Sequence, residues 1–363
     1  MRKLLIVCLL IGLLTAPVFA TEVLDEQAEL FGVEELEKGL PQEAEMAMDG
    51  LSPTKQTGLW EGLTGIWESI RGQSNGILRS SASLILRLLA IVMLCRLAEE
   101  GQSEPMRRSA AMAGALGVAA CCATDLRGMI GLGQKTVEEL LAFTDLLLPV
   151  MASATAAGGA TVSAGGMYAV AVVFSDLLMR FGKRLLIPAV YGYLALALTD
   201  SAVQEERLKK LRELLGWCVQ KLLRTGMYLF TGFLAVTGLL SGTADAAALK
   251  ATKATLSGMI PVVGGIISEA AETVLAGAGL LKSAVGTYGM LAVAAIFLLP
   301  FLRMGAQFLA FKLTSALSGV LGSRLTGLLT AVSEAMGFML ALTASSALMC
   351  LLSCCFLMKV SVL

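Results

Sequence analysis

Ten apolar stretches fill most of the chain beyond residue 83: Leu84–Leu97, Ala110–Ala123, Leu140–Ala157, Gly166–Met179, Leu185–Thr199, Gly226–Ser241, Leu256–Ile267, Tyr288–Leu302, Gly305–Val320 and Met336–Met358. Only 15% of the residues are charged and 56% are hydrophobic, where a soluble domain carries about a quarter charged. There is too little charge to cover such a surface in water, so the apolar surplus must face lipid. In hydrocarbon every backbone N–H and C=O has to be satisfied inside its own segment, which points to an all-α, polytopic membrane helical bundle. A full crossing takes about 20 residues. Several stretches reach only the mid-teens and are interrupted by Gly or Pro. That pattern predicts short, broken or re-entrant helices and roughly six to eight crossings.

Ahead of the apolar region lie two segments of different character. Arg2 and Lys3, the apolar run Leu4–Leu14, and the small-residue exit Pro17-Val18-Phe19-Ala20 read as an export leader over residues 1–20. Residues 21–80 form an exported acidic segment. Between Thr21 and Gly50 stand ten carboxylates against one cation, Lys38. Beyond them Leu59, Leu63, Ile66 and Ile70 recur at helical spacing with Trp60 and Trp67 one heptad apart, an amphipathic helix suited to a membrane interface. Residues 81–363 make the multi-pass domain.

The longest polar interval within that domain runs from Asp200 to Arg224. Arg207, Lys209, Lys210, Arg212, Lys221 and Arg224 share it with Leu208, Leu211, Leu215 and Leu222 at helical spacing, so it predicts a basic amphipathic helix on the cytoplasmic surface. Arg96, Arg107 and Arg108 carry the same cytoplasmic signature. Four prolines suggest an internal repeat. Pro149 and Pro188 are 39 residues apart, as are Pro261 and Pro300, and Pro149-Val150 matches Pro261-Val262. On this reading residues of about 141–241 and 253–353 are two related halves with helix breaks at the prolines, as in many transport folds.

Candidate chemistry inside the membrane is sparse. With no histidine in 363 residues, His-based triads, His metal sites and imidazole relays are excluded. The formal net charge of zero argues against nucleic acid as a ligand. The eight cysteines, adjacent at Cys121-Cys122 and Cys354-Cys355, show no metal-ligand spacing and read as small apolar packing groups. No metal, cofactor or enzymatic activity is expected. Asp245, Lys250, Lys253, Glu269 and Glu272 surround Gly258-Met259-Ile260-Pro261-Val262-Val263-Gly264-Gly265. An ionisable group at membrane depth normally faces a cavity or a partner. These five are therefore candidates to line a polar path, the alternative being that they cap a short apolar core at the two interfaces.

The run Ala244-Asp245-Ala246, Lys250-Ala251-Thr252-Lys253-Ala254-Thr255, Ile260-Pro261-Val262-Val263-Gly264 and Glu269-Ala270-Ala271-Glu272-Thr273-Val274 resembles the most recognisable segment of the stage III sporulation protein AE family. Leu147-Leu148-Pro149 and Thr161-Val162-Ser163-Ala164 are also similar to it. The chain departs from the family pattern at Gly265, where a basic residue is expected, and at Glu269 and Glu272, where aspartates are expected. The resemblance implies a polytopic component of a channel or secretion-like complex between mother cell and forespore. It also implies partners among the other stage III sporulation A-operon proteins, including a cytoplasmic secretion-type ATPase and ring-forming membrane proteins. The location it implies is the mother-cell membrane around the forespore. The residues alone leave room for a stand-alone secondary transporter or permease for a small solute.

Overall fold

A computed structural model describes residues 28–30, 32–54, 57–157, 173, 177, 180, 182–203, 207–232 and 264–359, with 264–278 described only as helix. Nine helices and no strand occur among the described residues. They are α1 (Glu34–Lys38), α2 (Gln42–Ala47), α3 (Leu59–Arg71), α4 (Ser74–Glu99), α5 (Glu104–Ala157), α6 (Ile187–Val203), α7 (207–232), α8 (Gly264–Val320) and α9 (Thr326–Lys359). The all-α expectation holds. Among the described residues five stretches, Ser74–Glu99, Glu104–Ala157, Arg184–Val203, Gly279–Val320 and Thr326–Cys355, are long and apolar enough to cross a membrane. The chain is a multi-pass membrane protein.

The helices are longer than the apolar runs. Ala110–Ala123 and Leu140–Ala157 belong to one 54-residue helix, and Tyr288–Leu302 and Gly305–Val320 to one of 57 residues. At 1.5 Å per residue each extends about 80 Å. Between its apolar runs α5 turns amphipathic and does not stop. Ile130, Gly133 and Val137 are buried while Arg127 and Lys135 are exposed. The i,i+4 pairs Gln134–Glu138 (3.0 Å) and Lys135–Glu139 (3.3 Å) support that turn of helix.

Pro149 and Pro300, expected as helix breaks, lie inside these continuous helices. Each proline removes one i→i−4 hydrogen bond, at a cost of about 3 kcal/mol in a helix interior. Around Pro149, the side chains of Leu147, Leu148, Val150 and Met151 are all buried, so packing holds the helix through the defect. Pro188, also expected as a break, likewise lies within a continuous helical run. A π turn at Gly182–Leu186 precedes it, and Pro188 stands in the first turn of α6, where its missing N–H costs least. Pro261 and the parts 158–172, 233–241 and 253–263 of the paired segments lie outside the described residues.

Helices α5, α8 and α9 form the central bundle. Gly289 on α8 meets Leu147, and Gly133 on α5 meets Met304 and Met339, so α5 and α8 are antiparallel. Gly114 near Leu325, and Thr144 near Cys350, set α9 parallel to α5. Two apolar clusters occupy successive levels. The first joins Leu140–Met151, Leu281–Leu299 and Ala347–Leu357, and residues of α1 to α3 cover it. The second joins Leu84–Cys95, Ala115–Leu141, Leu186–Ala197 and Ala310–Leu342. In α4 the buried stripe Ser81, Leu84, Leu88, Val92, Cys95 and Glu99 follows i,i+3/i+4 spacing, so one face meets α5 and the other stays open.

The hairpin between α8 and α9 ends on a glycine cap. Gly322 has φ +66°, its N–H bonds the Gly319 carbonyl at 3.0 Å, and the Ser323 N–H bonds the Ser318 carbonyl at 3.1 Å. This pairing closes the last turn of α8 and needs a left-handed residue. Close approach is the other use of glycine here. A Cβ at Gly289 would lie 2.6 Å from Leu147 Cδ2. We expect Gly289→Leu to overpack this contact and cost about 1–3 kcal/mol. Gly322→Ala should cost about 1 kcal/mol through backbone strain. Gly128→Ala, whose Cβ meets nothing within 4 Å, should be neutral or stabilising. Thermal unfolding in detergent reads the order. A Gly289→Leu protein as stable as Gly128→Ala would contradict the packing described.

Candidate functional site

Asp245, Lys250 and Lys253 lie outside the described residues. Glu269 and Glu272 fall near the start of α8, one helical turn apart. Helix 207–232, expected as a basic amphipathic element, is present as α7. Its Arg207, Lys209 and Lys210 are exposed. Its inner stripe comprises Leu208, Leu215, Gly216, Val219, Leu222, Met227 and Phe230, all wholly or partly buried. Trp217 points outward beside Leu214 and is 60% exposed.

Arg212 differs from its basic neighbours. It turns inward and pairs with Asp200 of α6 at 3.2 Å, the two side chains only 13% and 16% exposed. Close to this pair the Tyr193 hydroxyl of α6 donates to the Glu334 carboxylate of α9. Tyr193 also packs edge-on against Phe338, with ring centroids 5.3 Å apart and an interplanar angle of 80°. A Cβ at Gly216 would lie 3.1 Å from the Tyr193 ring, so glycine lets α7 approach here. Asp200, Arg212, Tyr193 and Glu334 thus gather on three helices and fix the basic helix to the bundle.

Sequence reading selected Arg212 for its charge and missed its three companions. A signal for Glu334 was available. It is the one acid in α9, and a solitary carboxylate in an apolar helix calls for a partner. Tyr193 carries no comparable mark, because a tyrosine in an apolar run reads as packing.

Elsewhere the polar contacts join elements at the ends of the bundle. Arg303 of α8 pairs with Glu43 of α2 at 3.7 Å and donates to the Gln73 side chain at 3.0 Å. Arg324 donates to both oxygens of Glu104 at 2.9 and 3.0 Å. Between α8 and α9, Ser315 meets Thr330 at 2.7 Å and Ser318 meets Thr326 at 3.1 Å. Cys95, Cys122, Cys350 and Cys354 are buried free thiols. Among the described residues no group of His, Cys, Asp or Glu could hold a metal ion. The contacts present suit the positioning of helices more than bond-making chemistry.

The family model described as stage III sporulation protein AE matches residues 48–361, which takes in α3 to α9 and begins just after α2. The chain belongs to that family. It is similar to the stage III sporulation protein AE of Bacillus subtilis (strain 168), 22% identical over 193 residues. That similarity covers 53% of this chain and 48% of the relative, so the chain spans about half the length of the curated relative it matches. No solved structure matches. The match includes all four residues of the Asp200–Arg212 and Tyr193–Glu334 pairs.

Removing one partner of a mostly buried ion pair leaves the other charge without compensation. We expect Arg212→Gln to cost about 2–3 kcal/mol and to increase protease cleavage in α7. Lys209→Gln, on the exposed face, should change stability by less than about 0.5 kcal/mol. The double variant Asp200→Asn/Arg212→Gln should recover part of the loss. Equal behaviour of the two single variants would rule out a docking role for Arg212.

Proposed function

We propose that this protein is a membrane component of a sporulation-specific multiprotein channel or secretion-like complex linking mother cell and forespore, needed for forespore development. One observation carries the reading: a stage III sporulation protein AE match runs from residue 48 to 361, across all five apolar helices. The polypeptide sits in the mother-cell membrane surrounding the forespore. It works with other stage III sporulation A-operon proteins, among them a cytoplasmic secretion-type ATPase and ring-forming membrane proteins. Two features support a platform role and no catalytic one. The chain has no histidine, and the polar contacts described join helices to one another. The exposed cations Arg207, Lys209 and Lys210 of α7 offer an acidic cytoplasmic partner a docking face held in place through Arg212. Asp245, Lys250, Lys253, Glu269 and Glu272 line the polar path of the assembled complex.

Reconstitution tests the assembly. Purified protein in liposomes should pass no small solute by itself, and flux should arise only when the ATPase and ring proteins are present. Flux by the chain alone would instead make it a self-sufficient transporter. The path residues are tested by Glu269→Cys and Glu272→Cys in the assembled complex. Both should react with a membrane-impermeant thiol reagent at least about tenfold faster than a cysteine at buried Val293, because a thiolate in a wet path is ionised and accessible. Rates equal to that of the buried position would remove these carboxylates from the path.

A further inference from the structure

The charged groups of the bundle divide into two levels. At one end stand Arg96, Arg107, Arg108 and Arg324, around the short connections α4–α5 and α8–α9. At the other stand Arg79 on α4, Lys135 on α5 and Arg303 on α8. Counting residues along each helix gives the separation. Arg79 to Arg96 and Arg303 to Val320 are each about 26 Å, and Arg108 to Lys135 about 40 Å. A bilayer core is about 30 Å thick.

Between these levels the outer faces are apolar. Leu86, Met93 and Leu94 on α4 and Leu309, Leu313 and Leu317 on α8 are all exposed. Above the Arg303 level the outer face changes. Among the described residues there, the central helices expose few large apolar side chains, Leu280 and Leu348 among them, while α3 exposes Trp60 and Trp67 and α7 exposes Tyr228 and Leu229. The flank of the bundle is covered by α1 to α3, which pack on α5 and α8. These small helices present Glu34, Glu35, Glu37, Glu43, Glu45 and Asp49 to the outside.

We infer that the bilayer surrounds the level of α4, the first half of α5 and the last part of α8, while the level capped by α1 to α3 stands clear of lipid on the exported side. Hydropathy taken alone suggests the opposite, because no charged residue occurs between Lys282 and Arg303 on α8. That run is apolar because it is core: Leu291, Ala292, Val293 and Ile296 are all buried. Placing it at membrane depth would put six outward-facing carboxylates of the cap into hydrocarbon. The lipid level assigned here holds two ion pairs, Arg87–Asp125 at 3.4 Å and the mostly buried Asp200–Arg212 at 3.2 Å, and Glu334, which accepts from Tyr193 inside the bundle. It also holds Arg127 and Lys312, whose methylene stems let their charges snorkel. The arginine-rich end then faces the cytoplasm, in keeping with the positive-inside rule. This assignment is independent of the partners and cargo proposed above.

Site-directed fluorescence in vesicles tests it. Serine replaces Cys218 and Cys355, the exposed native thiols, and single cysteines are introduced by Leu86→Cys, Leu313→Cys, Leu348→Cys and Glu37→Cys. Each is labelled with bimane in the full-length protein, and label on the background protein is subtracted. In vesicles of brominated-chain phosphatidylcholine, bimane at positions 86 and 313 should lose about half its emission relative to unbrominated lipid. Aqueous iodide should leave both unchanged. At 348 and 37 iodide should quench and brominated chains should not. The reverse pattern overturns the inference. So does an unquenched label at 313, which would mean that a protein surface covers this face. All six positions outside the bundle core leave buried packing intact; should one variant fail to fold, Leu317→Cys and Glu45→Cys report on the same two levels.

Discussion

Everything in this fold depends on helices that satisfy their own backbone. A chain with so few charges cannot leave peptide groups to be hydrated, and open strands or irregular loops in lipid would orphan several donors and acceptors at once. The consequence exceeds the formation of helices. Because packing holds α5 and α8 on either side of each proline, they run on through polar turns and through Pro149 and Pro300. A single lost hydrogen bond at Pro149 or Pro300 is a smaller penalty than the several orphaned groups that a break would create.

Long helices must also be held in register, and small residues do this. Gly133 admits Met304 and Met339, and Gly289 admits Leu147, so the backbones approach at defined levels along the bundle. Polar pairs add direction. Ser315–Thr330 and Ser318–Thr326 join α8 to α9 close to their hairpin, where the glycine cap at Gly322 has already set the geometry. Tyr193–Glu334 and Asp200–Arg212 tie α6 and α7 to α9 and to each other at the opposite side of the same level. The basic helix is therefore a fixed part of the molecule.

The sequence made the class of fold legible because apolar excess and charge deficit leave a single solution. It also showed the amphipathic stripe of α3. Of the expected stripe only Ile66 and Ile70 face the protein, with Gly62 beside them, while Leu59 and Leu63 are exposed along with Trp60 and Trp67. Helix boundaries were not legible for a physical reason. The polar stretch 124–139 of α5 has the same composition whether it is a loop or an amphipathic turn, and only the packing of Ile130, Gly133 and Val137 against other helices decides. The companions of Arg212 were hidden because they are distant in sequence: Glu334 lies 141 residues from the tyrosine that donates to it. Of the charged set around Pro261, only the helical placement of Glu269 and Glu272 falls within the described residues.

The balance of forces differs between the two levels of the bundle. Where water surrounds a helix bundle, burying a leucine is worth about 1.5–3 kcal/mol from the removal of apolar surface from water. Where lipid surrounds it, the chains of the bilayer are as apolar as leucine itself, and this driving force is absent. A bundle that passes from one solvent to the other must then be held differently along its length. The cluster under the acidic cap fully buries Phe143, Leu147, Leu148 and Leu291, and glycine lets Met358 approach Gly286 and Leu147 approach Gly289. The other level likewise buries Leu84, Leu88 and Phe311, and adds small-residue approach at Gly114 and Gly133 and hydrogen bonds between helices. Close van der Waals fit and paired polar groups are the interactions that retain their value without water. Both clusters along α5 and α8 carry large buried side chains and close glycine contacts, so what differs with the solvent is which of those contacts holds the helices together.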